Sequence, residues 1–426
     1  MIVGGAMCMS CHTGSSASII ARADVLDGRP FIPEQTSPCN GGPFDRPEDL
    51  AIAMRPSIRL PVVRIVALVI AVSASLGPGV IPAAAAPRAT ILSTSDLPAG
   101  QRLLEAARSL KVAYRTSDGR GRPRLSSAAV YLPRHGGTTA ISWAHGSNGL
   151  GDHCAPTRMG RPLRELDYFR TLLRNGYTVV ATDYIGLGTD GEPGYLDSGG
   201  EANAMADLVT AVAERWPGKA IRWFADGHSQ GAHAALNAAA ARSGDGSGSV
   251  LAGLMATSVP PPFDRIIGVA GPSTPEIPGI TGLYAMALHG FSVTYPELRI
   301  ERHLSARGVD VIRRIVTMCS PAIETLTAEL SIGDLLATSL TSREAGLFER
   351  YLRIPTSGYR VPVFLGHGLR DATLPFPTVV PLVAMLRASG TQLEFKTYDA
   401  THDGIIEQSV PDRIAFVSRH AGQTTG

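Results

Sequence analysis

The sequence predicts an α/β fold, a doubly wound and mostly parallel sheet with helices on both faces. From about residue 110 onward, short runs rich in β-branched and aromatic residues alternate with longer stretches rich in alanine and leucine. Several of the short runs are apolar throughout, as expected for strands that helices cover on both faces. Most of the longer stretches end in glycine, a common stop signal for helices. Strand alternating with helix is typical of parallel sheets of this kind.

Seven strands and four helices follow from this pattern. The expected strands occupy residues 126–133, 139–146, 177–184, 220–227, 250–259, 360–368 and 392–399. The expected helices, whose apolar residues recur every three or four positions, occupy residues 161–176, 199–218, 231–244 and 378–390.

The alternation stops between about residues 260 and 355, where the chain has helical spacing only. Leu283, Ala287 and Phe291, for example, are four residues apart. We interpret this segment as a helical cap inserted between two strands, with one apolar face that packs on the sheet domain or lines a channel; additional core helices are the alternative. The expected division is a first core part at 87–259, a helical cap or lid at 260–355 and a second core part at 356–426.

Residues 54–86 have the three-part layout of a secretory signal peptide. Three arginines precede the apolar stretch at 65–74, and a small-residue cleavage zone follows at 83–86. The protein is therefore expected to be exported, to a secreted or cell-envelope location. Residues 1–53 are rich in Gly, Ser and Pro, and we interpret them as an extension that is disordered or precedes the native start.

The remaining sequence features argue against a cofactor, a metal site and a nucleic-acid partner. The net charge of +2 is close to balance, and no basic run is interleaved with aromatic residues. The C-x-x-C-H pattern at residues 8–12 matches a haem attachment motif but lies upstream of the cleavage zone. The G-x-G-x-x-G pattern at 186–191 is followed at once by Pro193 and Gly194, whereas a dinucleotide site needs a helix there. No cysteine or histidine cluster has zinc spacing.

The stretch Gly227-His228-Ser229-Gln230-Gly231 stands between an expected strand and an expected helix. A sharp turn in that position exposes the central serine and forces backbone segments together, which leaves no room for a Cβ at either glycine. Ser229 is therefore the candidate nucleophile. The side chain of His228 is expected to point away from Ser229 and to have a structural role.

The acid and the base should follow the nucleophile in that order. Asp371 lies in the loop after the strand at 360–368, and His402 lies in the loop after the strand at 392–399. Both loops leave the carboxyl edge of the sheet, as the turn at Ser229 does. We expect His402 to act as the base and Asp371 to orient it, with His367 and Asp403 as rival candidates.

An oxyanion hole needs two backbone N–H donors. The N–H of Gln230, at the start of the helix after Ser229, is the first candidate. The second is expected from the loop "HGSNG" after the strand at 139–146, and both Gly146 and Ser147 remain candidates.

Cys154 and Cys319 are the two cysteines that follow the expected cleavage zone. Two thiols in an exported protein suggest one disulfide bond, and two separate buried thiols are the alternative.

Six segments of the chain resemble the secretory lipase family of the α/β-hydrolases, which includes the yeast type A lipases. They are "WAHGSNG", "DHCAPTR", "DYIGLGTDGEPGYL", "GHSQGAHAA", "GHGLRDATLP" and "THDG", and they span about residues 100 to 415. The resemblance implies an α/β-hydrolase sheet with an inserted helical lid. It also implies hydrolysis of carboxylic esters, including lipid esters, by a triad of Ser229, Asp371 and His402. The first cysteine is disulfide-bonded in related sequences, which agrees with the suggested pairing. The segment "MATSVPPPFD" departs from relatives that are richer in Gly and Ala there, and this difference is expected to reshape the acyl pocket.

The expected function is therefore that of an exported serine esterase or lipase without a cofactor. Its partners are lipid or small ester substrates, met in solution or at a lipid–water interface, and its oligomeric state is left open. An acyltransferase or a serine peptidase would use the same triad. A catalytically silent hydrolase-like binding module is the alternative from another class.

Overall fold

The computed structural model describes residues 89–243, 248–262, 270–277 and 279–422. The expected N-terminal extension (1–53) and signal peptide (54–86) lie outside the described residues. Among the helices that are described, none is both long enough and apolar enough to span a bilayer.

The described residues form a nine-stranded sheet with the strand order β1-β2-β3-β5-β4-β6-β7-β8-β9. From β5 to β9 along this order every neighbouring pair is parallel, and β1, β2 and β3 join antiparallel at one side. The expected mostly parallel α/β sheet is thus confirmed. The strands are β1 (Ile91–Asp96), β2 (Ala106–Ser117), β3 (Pro123–Pro133), β4 (Thr139–Ala144), β5 (Thr178–Ile185), β6 (Arg222–His228), β7 (Val250–Thr257), β8 (Val363–Gly368) and β9 (Leu393–Tyr398).

All seven expected strands are present, but β1 and β2 were not predicted. β2 alternates buried and exposed residues, and β1 is almost entirely exposed. Both strands pair antiparallel at the edge of the sheet, where one face can remain polar. A search for runs that are apolar throughout therefore misses them.

Helices cover both faces of the sheet. The helices are α1 (Pro156–Met159), α2 (Leu163–Arg174), α3 (Ser198–Arg215), α4 (Gln230–Arg242), α5 (Ile280–Thr294), α6 (Ala306–Ile315), α7 (Ser320–Thr327), α8 (Ile332–Leu335), α9 (Ser342–Tyr351), α10 (Val380–Ala388), α11 (Ile405–Gln408) and α12 (Val410–His420). Short 3-10 turns lie at Ala99–Gln101, Asp152–Cys154, Pro296–Leu298, Ile300–His303 and Phe376–Thr378. Leu208 of α3 and Leu236 of α4 belong to the apolar core of one face, and Phe169 of α2 and Phe416 of α12 belong to that of the other.

Between β7 and β8 the chain leaves the sheet, and the described residues there form α5 to α9. We call this part the inserted helical segment. It has a core of its own, in which Phe291 lies 4.8 Å from Phe348 and 5.5 Å from Tyr351, measured between ring centroids. Capping boxes at Ser331 and Thr341 fix the N-termini of α8 and α9.

Replacement of Phe291 by alanine should destabilise the protein by about 3–5 kcal/mol, because the side chain is fully buried and its removal leaves a cavity. Val309→Ala is the control, at a position of the same segment that is 45% exposed, and should change the stability by less than about 0.5 kcal/mol. Urea unfolding followed by circular dichroism measures both, and equal losses would contradict the assignment of Phe291 to a core.

Candidate active site

Ser229 lies in a strained turn between β6 and α4. Its backbone has φ +57° and ψ −117°, a conformation that residues other than glycine rarely adopt. The N–H of Ser229 donates to the carbonyl of Thr257 at 3.0 Å, which fixes the turn to the neighbouring strand β7.

The two glycines that flank this turn have no space for a side chain. A Cβ on Gly227 would lie 2.0 Å from the carbonyl oxygen of Gly231. A Cβ on Gly231 would lie 1.9 Å from the carbonyl oxygen of Ala144, at the end of β4. The close packing of β4, β6 and α4 therefore requires glycine at both positions, which is the reason the sequence pattern has them.

Asp371 and His402 lie in the loops after β8 and β9 and contact each other. His402 Nδ1 lies 2.8 Å from Asp371 Oδ2, to which its N–H donates. The side chain of Asp371 is fully buried and also accepts hydrogen bonds from Ser258 Oγ and from the backbone N–H groups of Thr373 and Leu374. Burial alone would raise the pKa of Asp371, but the bond to His402 and the further donors lower it below its usual value. A charged Asp371 is suited to hold the imidazole with Nε2 outward.

The rival candidates occupy other positions. His367 is buried, and its Nε2 donates to the carbonyl of Leu374 at 2.8 Å. Asp403 does not contact the Nδ1 of His402; it accepts a hydrogen bond from Arg164 at 2.7 Å and lies 3.4 Å from His228 Nε2. Asp371 is thus the carboxylate that the structure pairs with His402.

His228 is buried beneath the turn and lies beside His402, with 4.8 Å between the ring centroids. Its Nδ1 contacts Thr257 Oγ1 at 3.2 Å. Burial lowers the pKa of His228 to about 4, against the opposing effect of the Asp403 carboxylate, so the ring is neutral at neutral pH.

The two candidate donor segments of the oxyanion hole meet at Ser229. A Cβ built on Gly146 would lie 3.6 Å from the Cβ of Ser229. Ser147 Oγ forms a hydrogen bond of 2.6 Å with Tyr195 Oη, and the side chain of Gln230 donates to Glu201 Oε1 at 2.6 Å. Both segments are therefore fixed by their side chains beside Ser229.

Glu201 and Tyr195 were not found from the sequence. Glu201 is buried, accepts from the N–H of Leu196 at 3.0 Å and lies 3.1 Å from His233 Nδ1. One carboxylate thus joins α3, α4 and the loop that carries Tyr195. The available signal was an acidic residue in the alanine-rich stretch "GGEANAMA", which is usually read as solvent-facing.

The structure contains a disulfide bond between Cys154 and Cys319, which joins the loop after β4 to the inserted helical segment. Backbone bonds reinforce this connection. Ser320 N–H donates to Asn148 O at 2.9 Å, and Leu150 N–H donates to Met318 O at 3.0 Å. The loop that carries Gly146 and Ser147 is therefore held directly by the inserted segment.

A cavity of about 620 Å³ joins these groups. Ser229, His402, Gly146, Ser147 and Gln230 all line it. Leu283, Tyr284 and Ala287 of helix α5 also line it, together with Leu352, Leu374 and Ile406.

Phe291 does not line this cavity, so the expectation that Phe291 lines a channel together with Leu283 and Ala287 was wrong. With 3.6 residues per turn, each step of four residues rotates the side chain by about 40°. Leu283 and Ala287 face the cavity, but after the second step Phe291 is fully buried in the core of the inserted segment.

Comparisons with known proteins agree with this fold. The model of the family described as serine aminopeptidase, S33, matches residues 163–408. Candida antarctica lipase A in its closed state is similar in structure at 18% identity, with 78% of this chain and 81% of that chain covered and a TM-score of 0.63. The rice cell wall degrading esterase LipA from Xanthomonas oryzae is similar at 17% identity, with 78% and 98% covered and a TM-score of 0.58. Among the curated proteins, none matches. The expected α/β-hydrolase fold is thereby confirmed.

Protonation of His145 should reduce the stability at low pH. Burial lowers the pKa of His145 from 6.5 to about 3 in the folded protein. The unfolded chain therefore takes up a proton at His145 below about pH 6.5, while the folded protein does not. The stability that the neutral His145 contributes is fully present above that pH and is lost as the pH falls toward 3. Between pH 7 and pH 4, the wild type should lose on the order of 3 kcal/mol more unfolding free energy than His145→Gln. Urea unfolding over a pH series measures this, and parallel curves for the two proteins would refute it.

Proposed function

The chain belongs to the serine aminopeptidase S33 family, and we propose that it is an exported serine hydrolase of carboxylic esters. The observation that carries the proposal is the position of Ser229 on its strained turn, in one cavity with His402 and its partner Asp371. A serine nucleophile, an oriented imidazole and a buried carboxylate are the parts that acyl transfer through a serine requires.

In the proposed mechanism, Ser229 Oγ attacks the ester carbonyl and His402 Nε2 takes the serine proton. The charge that develops on the carbonyl oxygen is stabilised by backbone N–H groups of Gln230 and of the loop with Gly146 and Ser147, each worth about 3–4 kcal/mol. His402 then passes the proton to the leaving alcohol. Water, activated by the same imidazole, hydrolyses the acyl-enzyme. Asp371 holds the imidazole in the required tautomer throughout.

The chemistry of the cavity favours an ester with an apolar acyl chain. Leu283, Ala287 and Leu352 give it an apolar lining in the same cavity as Ser229. An acyl chain placed there would gain roughly 0.8 kcal/mol for each buried methylene. Two solved structures of the same fold carry the names lipase and esterase, which supports the same choice. We propose that the inserted helical segment is the cap that supplies this lining.

We propose that the enzyme binds long-chain substrates at a lipid–water interface. Leu163 and Leu369 are 71% and 53% exposed, and they adjoin the cavity-lining residues Pro162, Arg164 and Arg370. Exposed apolar side chains beside a cavity-lining segment favour contact with an apolar surface. Export rests on the signal-peptide pattern at residues 54–86, and the disulfide bond is consistent with an oxidising compartment.

Peptide hydrolysis is the second candidate, because the family is described as aminopeptidases. Glu324 of helix α7 lines the cavity and has no ion-pair partner within the described residues. A free carboxylate there would attract the amino group of a peptide substrate. Turnover of amino acid p-nitroanilides that exceeds the turnover of p-nitrophenyl esters, and that falls in Glu324→Gln, would favour this function over the ester proposal.

Three variants test the catalytic assignment. Ser229→Ala should remain folded, with no ester turnover and no labelling by a fluorophosphonate probe. Asp371→Asn should lower kcat by about 10⁴, because the imidazole would adopt the wrong tautomer. Asp403→Asn is the matched control, and its kcat should fall far less than that of Asp371→Asn. Labelling of the Ser229→Ala protein, or a larger loss in Asp403→Asn than in Asp371→Asn, would show that a residue has been misassigned.

Substitution of Leu283 by tryptophan should shorten the acyl chains that the enzyme accepts. Leu283 is partly buried and lines the cavity, so the larger ring would displace the distal part of a long chain. The kcat/KM for long p-nitrophenyl esters should fall by about fourfold per displaced methylene, while that for the acetate stays near wild type. Val309→Trp, at an exposed position of the same segment, is the control. The series is measured below and above micelle formation, and a uniform loss across chain lengths would contradict the assigned lining.

A further inference from the structure

Three side chains that can bind a metal ion meet beside Ser229. They are His228, His402 and Asp403, and one ring nitrogen or carboxylate oxygen from each lies within 4.8 Å of the others. His228 Nε2 and Asp403 Oδ1 are 3.4 Å apart. Two imidazoles and one carboxylate are a ligand set that zinc accepts in sites with an open fourth position.

Each of these three side chains is held by a neighbour outside the cluster. His402 Nδ1 donates to Asp371 at 2.8 Å, and His228 Nδ1 contacts Thr257 Oγ1 at 3.2 Å. Asp403 Oδ2 accepts from Arg164 at 2.7 Å. Such outer contacts orient ligands in known metal sites, where a carboxylate often bonds the second nitrogen of a liganding histidine.

The Nε2 atom of His228 is buried and faces the Asp403 carboxylate. The side chain is only 4% exposed, and within the described part of the chain its Nε2 makes no well-aligned hydrogen bond; its ion-pair contact is Asp403 Oδ1 at 3.4 Å. Buried ring nitrogens normally form a hydrogen bond of good geometry, and a metal ion between the two groups would replace this loose contact with a ligand bond to each.

We propose that His228, His402 and Asp403 bind one divalent transition-metal ion of the zinc class and that the bound ion inhibits the enzyme. Imidazole-rich sets favour Zn²⁺ and Cu²⁺ over Mg²⁺ and Ca²⁺. The inhibition rests on the proposed function: an ion on His402 Nε2 occupies the electron pair that would accept the proton of Ser229. The metal site itself does not depend on that function.

The geometry requires only small movements of the exposed ligands. Ligand atoms in a tetrahedral zinc site are about 3.3 Å apart, as bond lengths of about 2.0–2.1 Å dictate. The pair His228 and Asp403 already has this spacing. Asp403 is 53% exposed, so its carboxylate can adjust toward the ion while His402 keeps its bond to Asp371.

Calorimetric titration of the purified full chain with ZnCl₂ tests the site without any activity measurement. The wild type should bind one Zn²⁺ ion, and His228→Gln and Asp403→Asn should each bind it at least about tenfold more weakly. His153→Gln is the matched control, because His153 lies near the disulfide bond and away from the cluster. Asp403 is half exposed, so its variant keeps the test valid if His228→Gln fails to fold.

Ester turnover provides the second readout. ZnCl₂ should inhibit the wild type, EDTA should restore activity, and Asp403→Asn should need at least about tenfold more Zn²⁺ for half-inhibition. Absence of stoichiometric Zn²⁺ binding, or binding that only His153→Gln weakens, would overturn the site. Stoichiometric binding without inhibition would overturn the inhibitory role. Zn²⁺ binding by a protein that hydrolyses no ester would leave the site intact and refute the proposed function alone.

Discussion

The whole candidate site depends on the tight contact among β4, β6 and α4. The carbonyl of Ala144 and the backbone of Gly231 approach so closely that no side chain fits between them, and Gly227 packs in the same way against Gly231. This contact forces the sharp turn that gives Ser229 its strained backbone. Because the end of β4 is part of it, the loop that follows β4 must begin next to Ser229. The candidate nucleophile and the loop that carries Gly146 and Ser147 are thus placed by a single packing constraint.

The inserted helical segment also contributes to the candidate site. It is bonded to the loop that carries Gly146 and Ser147 through the Cys154–Cys319 disulfide and through the backbone at Asn148 and Leu150. It also lines the cavity through α5. A movement of this segment would therefore act on the cavity and on that loop together. Glu201 provides the counterpart within the sheet domain, since it fixes both Gln230 and the loop that carries Tyr195.

The sequence was sufficient for the parallel strands and for the positions of Ser229, Asp371 and His402, because loops after parallel strands open at one edge of the sheet. It was insufficient where a residue's surroundings decide its role. β1 and β2 are half polar because they pair antiparallel at the edge. The four-residue spacing that links Leu283 to Phe291 does not follow the helix turn closely enough to keep both on one face. Glu201 is buried and has three hydrogen-bonding partners that lie outside its own helix. The local sequence around Glu201 does not reveal these contacts.

A histidine that acts as a catalytic base and a histidine that binds a metal ion require the same orientation of the imidazole ring. Each needs an imidazole whose Nδ1 is held by a carboxylate and whose Nε2 points into an accessible cavity. Asp371 meets this demand for His402. Whether such a histidine also captures a metal ion depends on its neighbours, because one imidazole alone binds weakly. In this protein the residue before Ser229 is a buried histidine, and the residue after His402 is an aspartate whose Oδ1 lies 3.4 Å from the Nε2 of that histidine. The same geometry that prepares His402 to accept a proton therefore also prepares it for a metal ion.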